Sequence, residues 1–184
     1  TRPDGKFYVG SKWPKLALTY RSGLNILKSD VSYDLISGRV YDNGIRLGLL
    51  GNLSFSAGGG KYVSNKATWF MDYQHFKGNR LTFYEGSSNN VFRFLDYYQY
   101  STNDYYIEGH LEHNFSGFFT NKIPLFRKLR LEEVVGANYL TTDALRNYTE
   151  VYFGLQRLML RAEFGFSWIN GKSYESAFRL STSF

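Results

Sequence analysis

The chain has 184 residues, a net charge of +6 from 22 basic and 16 acidic side chains, and an aromatic set of 16 Tyr, 16 Phe and 3 Trp. No apolar run approaches the ~18 residues of a membrane-spanning helix, which excludes a helical membrane protein. The lack of cysteine excludes disulfides, thiolate metal sites and cysteine nucleophiles.

The opening Thr1-Arg2-Pro3-Asp4-Gly5-Lys6 is not a signal peptide, so any export signal is expected to be removed or upstream. From there on the recurring period is two, the mark of strands with one apolar and one polar face. Strands are predicted near 15–24, 30–40, 44–57, 65–76, 103–116, 127–140, 147–155, 158–169 and 173–184. Asp42-Asn43-Gly44 reads as the first hairpin turn, because Asn-Gly between alternating runs is the strongest short hairpin signal. Parity then places Leu35 opposite Gly51 and Tyr33 opposite Leu53. The next apolar row is Ile45, Leu47, Leu49, Gly51, Leu53 and Phe55.

Further on, Tyr105, Ile107, Gly109 and Leu111 oppose Tyr106, Glu108, His110 and Glu112. Leu158, Leu160, Ala162, Phe164, Phe166 and Trp168 form another row, and Tyr174, Ser176, Phe178, Leu180, Thr182 and Phe184 the last. At the final hairpin, turn chemistry favours an Ile169-Asn170-Gly171 loop. Charge pairing favours Asn170-Gly171-Lys172, which sets Glu163 opposite Arg179. Phe70 and Ile36 fall on polar rows, and Glu133 and His113 on apolar ones.

Most of these strands are longer than the ~5–6 residues usual in globular sheets. They match the ~9–11 residues with which a tilted strand crosses a bilayer. Polar faces carrying Arg, Glu, His and Asn suit the interior of a barrel whose apolar face meets lipid. The expected fold is therefore all-β, an antiparallel transmembrane β-barrel. With Phe184 at the periplasmic side, loops at 41–44, 77–102, 141–146 and 170–172 are extracellular, and turns near 25–29, 58–64, 117–126 and 156–157 periplasmic. Nine strands would leave residues 1–14 outside the cell, so further strands are expected upstream, making this the C-terminal part of a larger barrel.

The end of the chain resembles the C-terminal assembly signal of outer-membrane barrels, carried here by Tyr174, Phe178, Leu180 and Phe184. From about residue 72 onward, several stretches are similar to one family. They are Asp72-Tyr73-Gln74-His75-Phe76, Phe92-Arg93-Phe94-Leu95-Asp96-Tyr97-Tyr98, Ser101-Thr102-Asn103-Asp104, His110-Leu111-Glu112-His113-Asn114-Phe115-Ser116-Gly117, Asn121-Lys122-Ile123-Pro124-Leu125 and Asn147-Tyr148-Thr149-Glu150. The family comprises Bacteroidetes outer-membrane proteins with an N-terminal carboxypeptidase-like regulatory domain ahead of a barrel, distantly akin to the surface-antigen (BamA-like) superfamily. The resemblance implies a longer protein, location in the bacterial outer membrane and no peptidase activity. It carries over no catalytic residues.

Glu108, His110 and Glu112 share one inward face, but a strand ladder spreads them about 7 Å apart, so a solvated wall paired with Arg130 is preferred over a metal site. His75 lies near Ser87 and Ser88 in sequence, without a hydrolase signature around them, and no enzyme is expected. Nucleic acid is disfavoured as a partner because basic residues and aromatic rows fall on opposite faces. Lys122, Arg127, Lys128 and Arg130 read as a solvated periplasmic turn rather than a contact for a partner or anionic headgroups. The long 77–102 segment reads as a hairpin above the membrane, its Phe83, Tyr84, Phe92 and Phe94 free to dock a partner, fold over the lumen or pack together. The expected role is non-catalytic, in transport or envelope protein assembly, or as a subunit docking onto a larger outer-membrane complex. Outer-membrane lipid, and the barrel-assembly machinery during biogenesis, are the expected partners. No cofactor is expected.

Overall fold

The structure is a computed structural model and describes residues 13–25, 30–85 and 90–182. It is all-β, with no helix long and apolar enough to cross a membrane among the described residues. One mixed sheet contains nine strands: β1 (Lys15–Gly23), β2 (Ser32–Arg46), β3 (Asn52–Ala67), β4 (Phe83–Glu85), β5 (Tyr105–Asn114), β6 (Glu132–Thr142), β7 (Tyr148–Arg157), β8 (Leu160–Ile169) and β9 (Lys172–Thr182). Their order is β1-β2-β3-β5-β6-β7-β8-β9-β4. Eight strands form an antiparallel meander, and the three-residue β4 adds itself in parallel to Leu180–Thr182 of β9. Among the described residues the sheet is open, with β1 and β4 as its edges.

Two predicted features change. Asp42-Asn43-Gly44 is not a turn but a bulge inside β2, where Asp42 Oδ1 accepts the Gly44 N–H at 3.0 Å and the register jumps between Asp42↔Phe55 and Ile45↔Leu53. The chain reverses later, through a 3-10 turn at Gly48–Leu50 closed by Leu47 N–H donating to the Gly51 carbonyl at 2.8 Å. Gly51 takes φ 91, and a Cβ there would stand 2.0 Å from the Asn114 carbonyl oxygen, so only glycine closes this corner. Leu35 therefore faces Tyr62 and Tyr33 faces Asn65, not Gly51 and Leu53.

The turn expected at 58–64 is instead the middle of β3, which takes 52–57 of the predicted 44–57 strand and only 65–67 of the predicted 65–76 strand; 68–76 is loop with a 3-10 turn at Phe70–Asp72. With eight meander strands, Lys15 and Thr182 come to the same end of the sheet. The parity argument that set the N-terminal residues on the far side from the C-terminus is thereby corrected. The β1–β2 connection now lies at the same end as the 77–102 segment, and the 47–51 turn lies opposite, with the 115–131 and 158–159 connections.

Alternation holds across the sheet. One outward row runs Leu53, His113, Val135, Phe153, Phe164, Phe178 through six strands, and the next runs Phe55, Leu111, Ala137, Val151, Phe166, Ser176. Ile36 rejoins this face beside exposed Val40, because β2 turns Tyr33 and Leu35 inward. His113 donates its Nε2–H to the Leu50 carbonyl at 2.8 Å, which ties it to the 47–51 turn. Glu133 bends over the sheet end to accept the Thr120 backbone N–H. Phe70 sits in a 3-10 turn against His75, Tyr73 and Tyr98.

Candidate functional site

The inward face carries the chemistry. One row reads Ser56, His110, Asn138, Glu150, Ser167, Glu175; its neighbour reads Ser54, Glu112, Gly136, Tyr152, Gly165, Ala177, and the row beyond reads Asn114, Val134, Gly154, Glu163, Arg179. Charges in such rows were expected to line a wet wall. Instead Glu150 and Glu163 are 0% and 2% exposed, because the 77–102 segment lies against them. No self-paired hairpin stands off the sheet among the described residues. Gly78 and Phe92 make a parallel bridge, β4 pairs with β9, and Val91–Leu95 run through the interior. The reason is compositional: Val91, Phe92, Phe94 and Leu95 are too apolar to remain in water, and the sheet offers them aromatic and glycine-lined space.

Near one end, Phe76, Phe92 and Leu95 join Tyr33, Leu35, Tyr62, Tyr106, Leu140, Leu145 and Tyr148 in an apolar core. Phe94 lies on Gly165, where an added Cβ would come within 3.0 Å of its ring. Gly165→Val is expected to expel Phe94 and destabilise the fold by ~1–3 kcal/mol, the usual cost of overpacking. A lowered urea midpoint for the folded protein would register it.

Glu150 acts as a receptor for the inserted backbone. Its carboxylate accepts the Arg93 N–H at 2.9 Å, the Phe94 N–H at 2.8 Å and Asn138 Nδ2 at 2.8 Å, and also takes the Tyr148 hydroxyl. Arg93 itself grips Glu163 in a two-pronged contact, Nε and Nη2 each at 3.1 Å, with its guanidinium 3.3 Å above the Tyr152 ring. Arg161 bridges onward: it meets Glu163 at 2.5 Å and holds Glu112 through Nη1 and Nη2 at 3.0 and 2.8 Å. Tyr152 donates its hydroxyl to the same Glu112 at 2.8 Å. Arg179 donates Nη1 to the Asn79 carbonyl at 3.4 Å and faces the Tyr84 ring at 4.5 Å. A strap of chain is thus held to the sheet by interlocked, desolvated charges. Burial of Arg93, Glu150 and Glu163 is tolerated because each finds partners, whereas Arg161 Nε and Arg179 Nε and Nη2 are buried without a hydrogen-bond partner among the described residues.

Each expected site residue has a place in this arrangement. Glu108, His110 and Glu112 do share the inward face, yet they turn to three partners: Arg39, Asn138 at 2.9 Å, and the Arg161–Tyr152 pair. The expected partner Arg130 belongs instead to the 115–131 connection, and no metal-holding cluster of His, Cys, Asp and Glu occurs among the described residues. Phe92 and Phe94 are buried, Tyr84 faces inward to Arg179, and Phe83 remains outward at 72% exposure. Tyr174, Phe178 and Leu180 lie on β9; Phe178 and Leu180 are on the expected outward face, whereas the bulge after Ser167 turns Tyr174 toward buried Tyr148, their ring centroids 6.5 Å apart; Phe184 lies outside the described residues, as do Ser87 and Ser88.

His75 pairs with Ser101 instead, Nδ1 to Oγ at 2.7 Å, while Ser101 Oγ–H donates to the Tyr98 carbonyl at 2.9 Å. Burial holds His75 below its usual range, so the ring is neutral. The contact ties the stretch before the strap to the Tyr98–Ser101 turn.

Arg93 was missed as a site residue although it stands between two phenylalanines in an otherwise apolar run. Such a cation enters an interior only toward a waiting carboxylate, and Glu150 and Glu163 are the acids on the inward rows of β7 and β8. Beside the strap, a polar cavity of about 430 Å³ remains between β1–β3 and β5, lined by Arg39, Tyr41, Gln74, Tyr106 and Glu108.

No curated protein matches the chain. No solved structure matches it either. A family model described as the C-terminal domain of a family of unknown function, DUF5686, matches residues 1–155, which hold the strap and every strand through most of β7. The chain therefore belongs to the DUF5686 family of unknown function, in its C-terminal domain.

Proposed function

We propose that this chain forms the wall of a non-enzymatic transmembrane β-barrel in a bacterial outer membrane, serving transport or envelope protein assembly, with the 77–102 segment as a built-in plug. The observation that carries the reading is the division of the two faces. Phe153, Val151, Val135, Leu111, Ile107, Phe166 and Phe178 are exposed outward, while Arg93, Arg161, Glu150 and Glu163 are sealed inside. A protein in water gains nothing from that exposed apolar band, whereas hydrocarbon accepts it.

Lipid adds a condition: unpaired backbone groups there cost several kcal/mol each, so the β1 edge must be paired in the membrane, by closure or by further strands. Membership of a larger barrel with an upstream regulatory domain, and kinship with surface-antigen barrels, form part of this proposal and rest on the sequence resemblance. The mechanistic step from barrel to envelope assembly rests on fold analogy.

The test is location and heat-modifiability in the native cells. An antibody to residues 172–182 should detect the protein in the outer-membrane fraction, with different gel mobility before and after boiling. A soluble protein, recovered without detergent and indifferent to boiling, would overturn the membrane reading.

A further inference from the structure

We infer that the sheet end holding the 115–131 connection binds an anionic phospholipid, its phosphate in a basic pocket and an acyl chain in the adjoining groove. The inference rests on the membrane reading above and adds a ligand to it. Arg127, Lys128 and Arg130 line a pocket of about 840 Å³ together with Ser116 and Asn121. None of the three cations forms an ion pair among the described residues. The one carboxylate in the lining, Glu132, accepts Asn114 Nδ2 at 2.8 Å. Arg130 is held at φ 48, a left-handed conformation unusual for a residue with a Cβ.

Leu131 lines this pocket and also a second, mostly apolar groove of about 780 Å³ walled by Phe83, Leu155, Leu160, Ala162 and Leu180, with Glu85, Arg157 and Arg161 also in its lining. A charged pocket and an apolar slot sharing one leucine match the two halves of a phospholipid. Free phosphate would need only the first half. Exposed Phe119, Ile123 and Leu129 flank the cations, as side chains at a headgroup boundary do. The groove also gives outward Phe83 a partner, which the strap does not.

Retained lipid should be measured on the heat-modifiable protein after gel filtration in neutral detergent containing equal phosphatidylglycerol and phosphatidylcholine. Phosphatidylglycerol is expected to be enriched, and its retention to fall about tenfold or more in R127Q/K128Q/R130Q, since each surface cation contributes ~1 kcal/mol toward an anionic headgroup. Leu160→Trp, which fills the groove, should lower retention of the lipid but leave binding of inorganic phosphate intact. The unaltered protein should also lose phosphatidylglycerol as salt rises, a reading independent of any variant's folding.

Equal retention of both lipids, or enrichment untouched by salt and by the triple substitution, overturns the inference while the barrel stands. Inorganic phosphate binding that Leu160→Trp and lipid do not affect shows an anion site only and also overturns it. Loss of heat-modifiability in the unaltered protein sinks the barrel reading instead.

Discussion

Replacing Glu150 with alanine is expected to detach the strap from the sheet. The substitution strands four donors: the Arg93 and Phe94 N–H groups, Asn138 Nδ2 and the Tyr148 hydroxyl. A buried donor without a partner costs ~1–3 kcal/mol, and water entering the space left by the carboxylate recovers part of the total. A net loss of about 3 kcal/mol is therefore expected, which raises the open population of the strap about a hundredfold.

Arg93 is 4% exposed when the strap is seated, so trypsin cannot reach the Arg93–Phe94 bond. In Glu150→Ala it should cut there rapidly. Glu150→Gln keeps the shape and one acceptor but turns an NH₂ toward existing donors, and should fall between. Under the proposed plug the alanine variant should also conduct ions in a planar bilayer where the parent is closed. Unchanged tryptic protection in Glu150→Ala would show that aromatic packing alone holds the strap.

The same interlock explains why the interior was only half legible. Which residues point inward follows from alternation, and Glu112, Glu163 and Arg179 were assigned to that face from sequence. Their partners were not, because Arg93 arrives from a segment 57 residues before Glu150 in the chain, and no local pattern records such a meeting.

Turn geometry shows a second limit. At the last hairpin, Asn170 and Gly171 form a two-residue turn with φ 50 and 76, yet Glu163 still faces Arg179. A bulge after Ser167 absorbs the extra residue, so turn chemistry and charge pairing are both satisfied where parity seemed to force a choice. At Asn43-Gly44 the same device works the other way. The bulge consumes the Asn-Gly signal, and the reversal moves to Gly48 and Gly51. Bulges break the period-two rule on which register arguments rest, and they leave no composition of their own.

The lipid-facing reading makes a prediction with a depth dependence that a soluble sheet does not share. Phe153 lies midway along β7, outward and 55% exposed, with Val135 and Phe164 beside it in register. Ser173 is outward too and exposed, opposite Trp168 near the start of β9 at the hairpin end. In a bilayer, Phe153→Arg places a guanidinium near the hydrocarbon midplane and should cost ~2–4 kcal/mol, whereas Ser173→Arg at the interface should cost ~0–1 kcal/mol. In water both are exposed surface substitutions, each expected within about 0.5 kcal/mol of the parent.

Urea titration of the protein folded into lipid vesicles reads the difference directly, and the lack of native cysteine lets labelled single-cysteine variants report each transition without background. Equal midpoints for the two arginine variants would argue that the outward rows meet a protein or aqueous surface. A midpoint lowered only by Phe153→Arg would follow from the cost of burying charge in hydrocarbon, because the backbone ladder and the interior strap are the same in both variants.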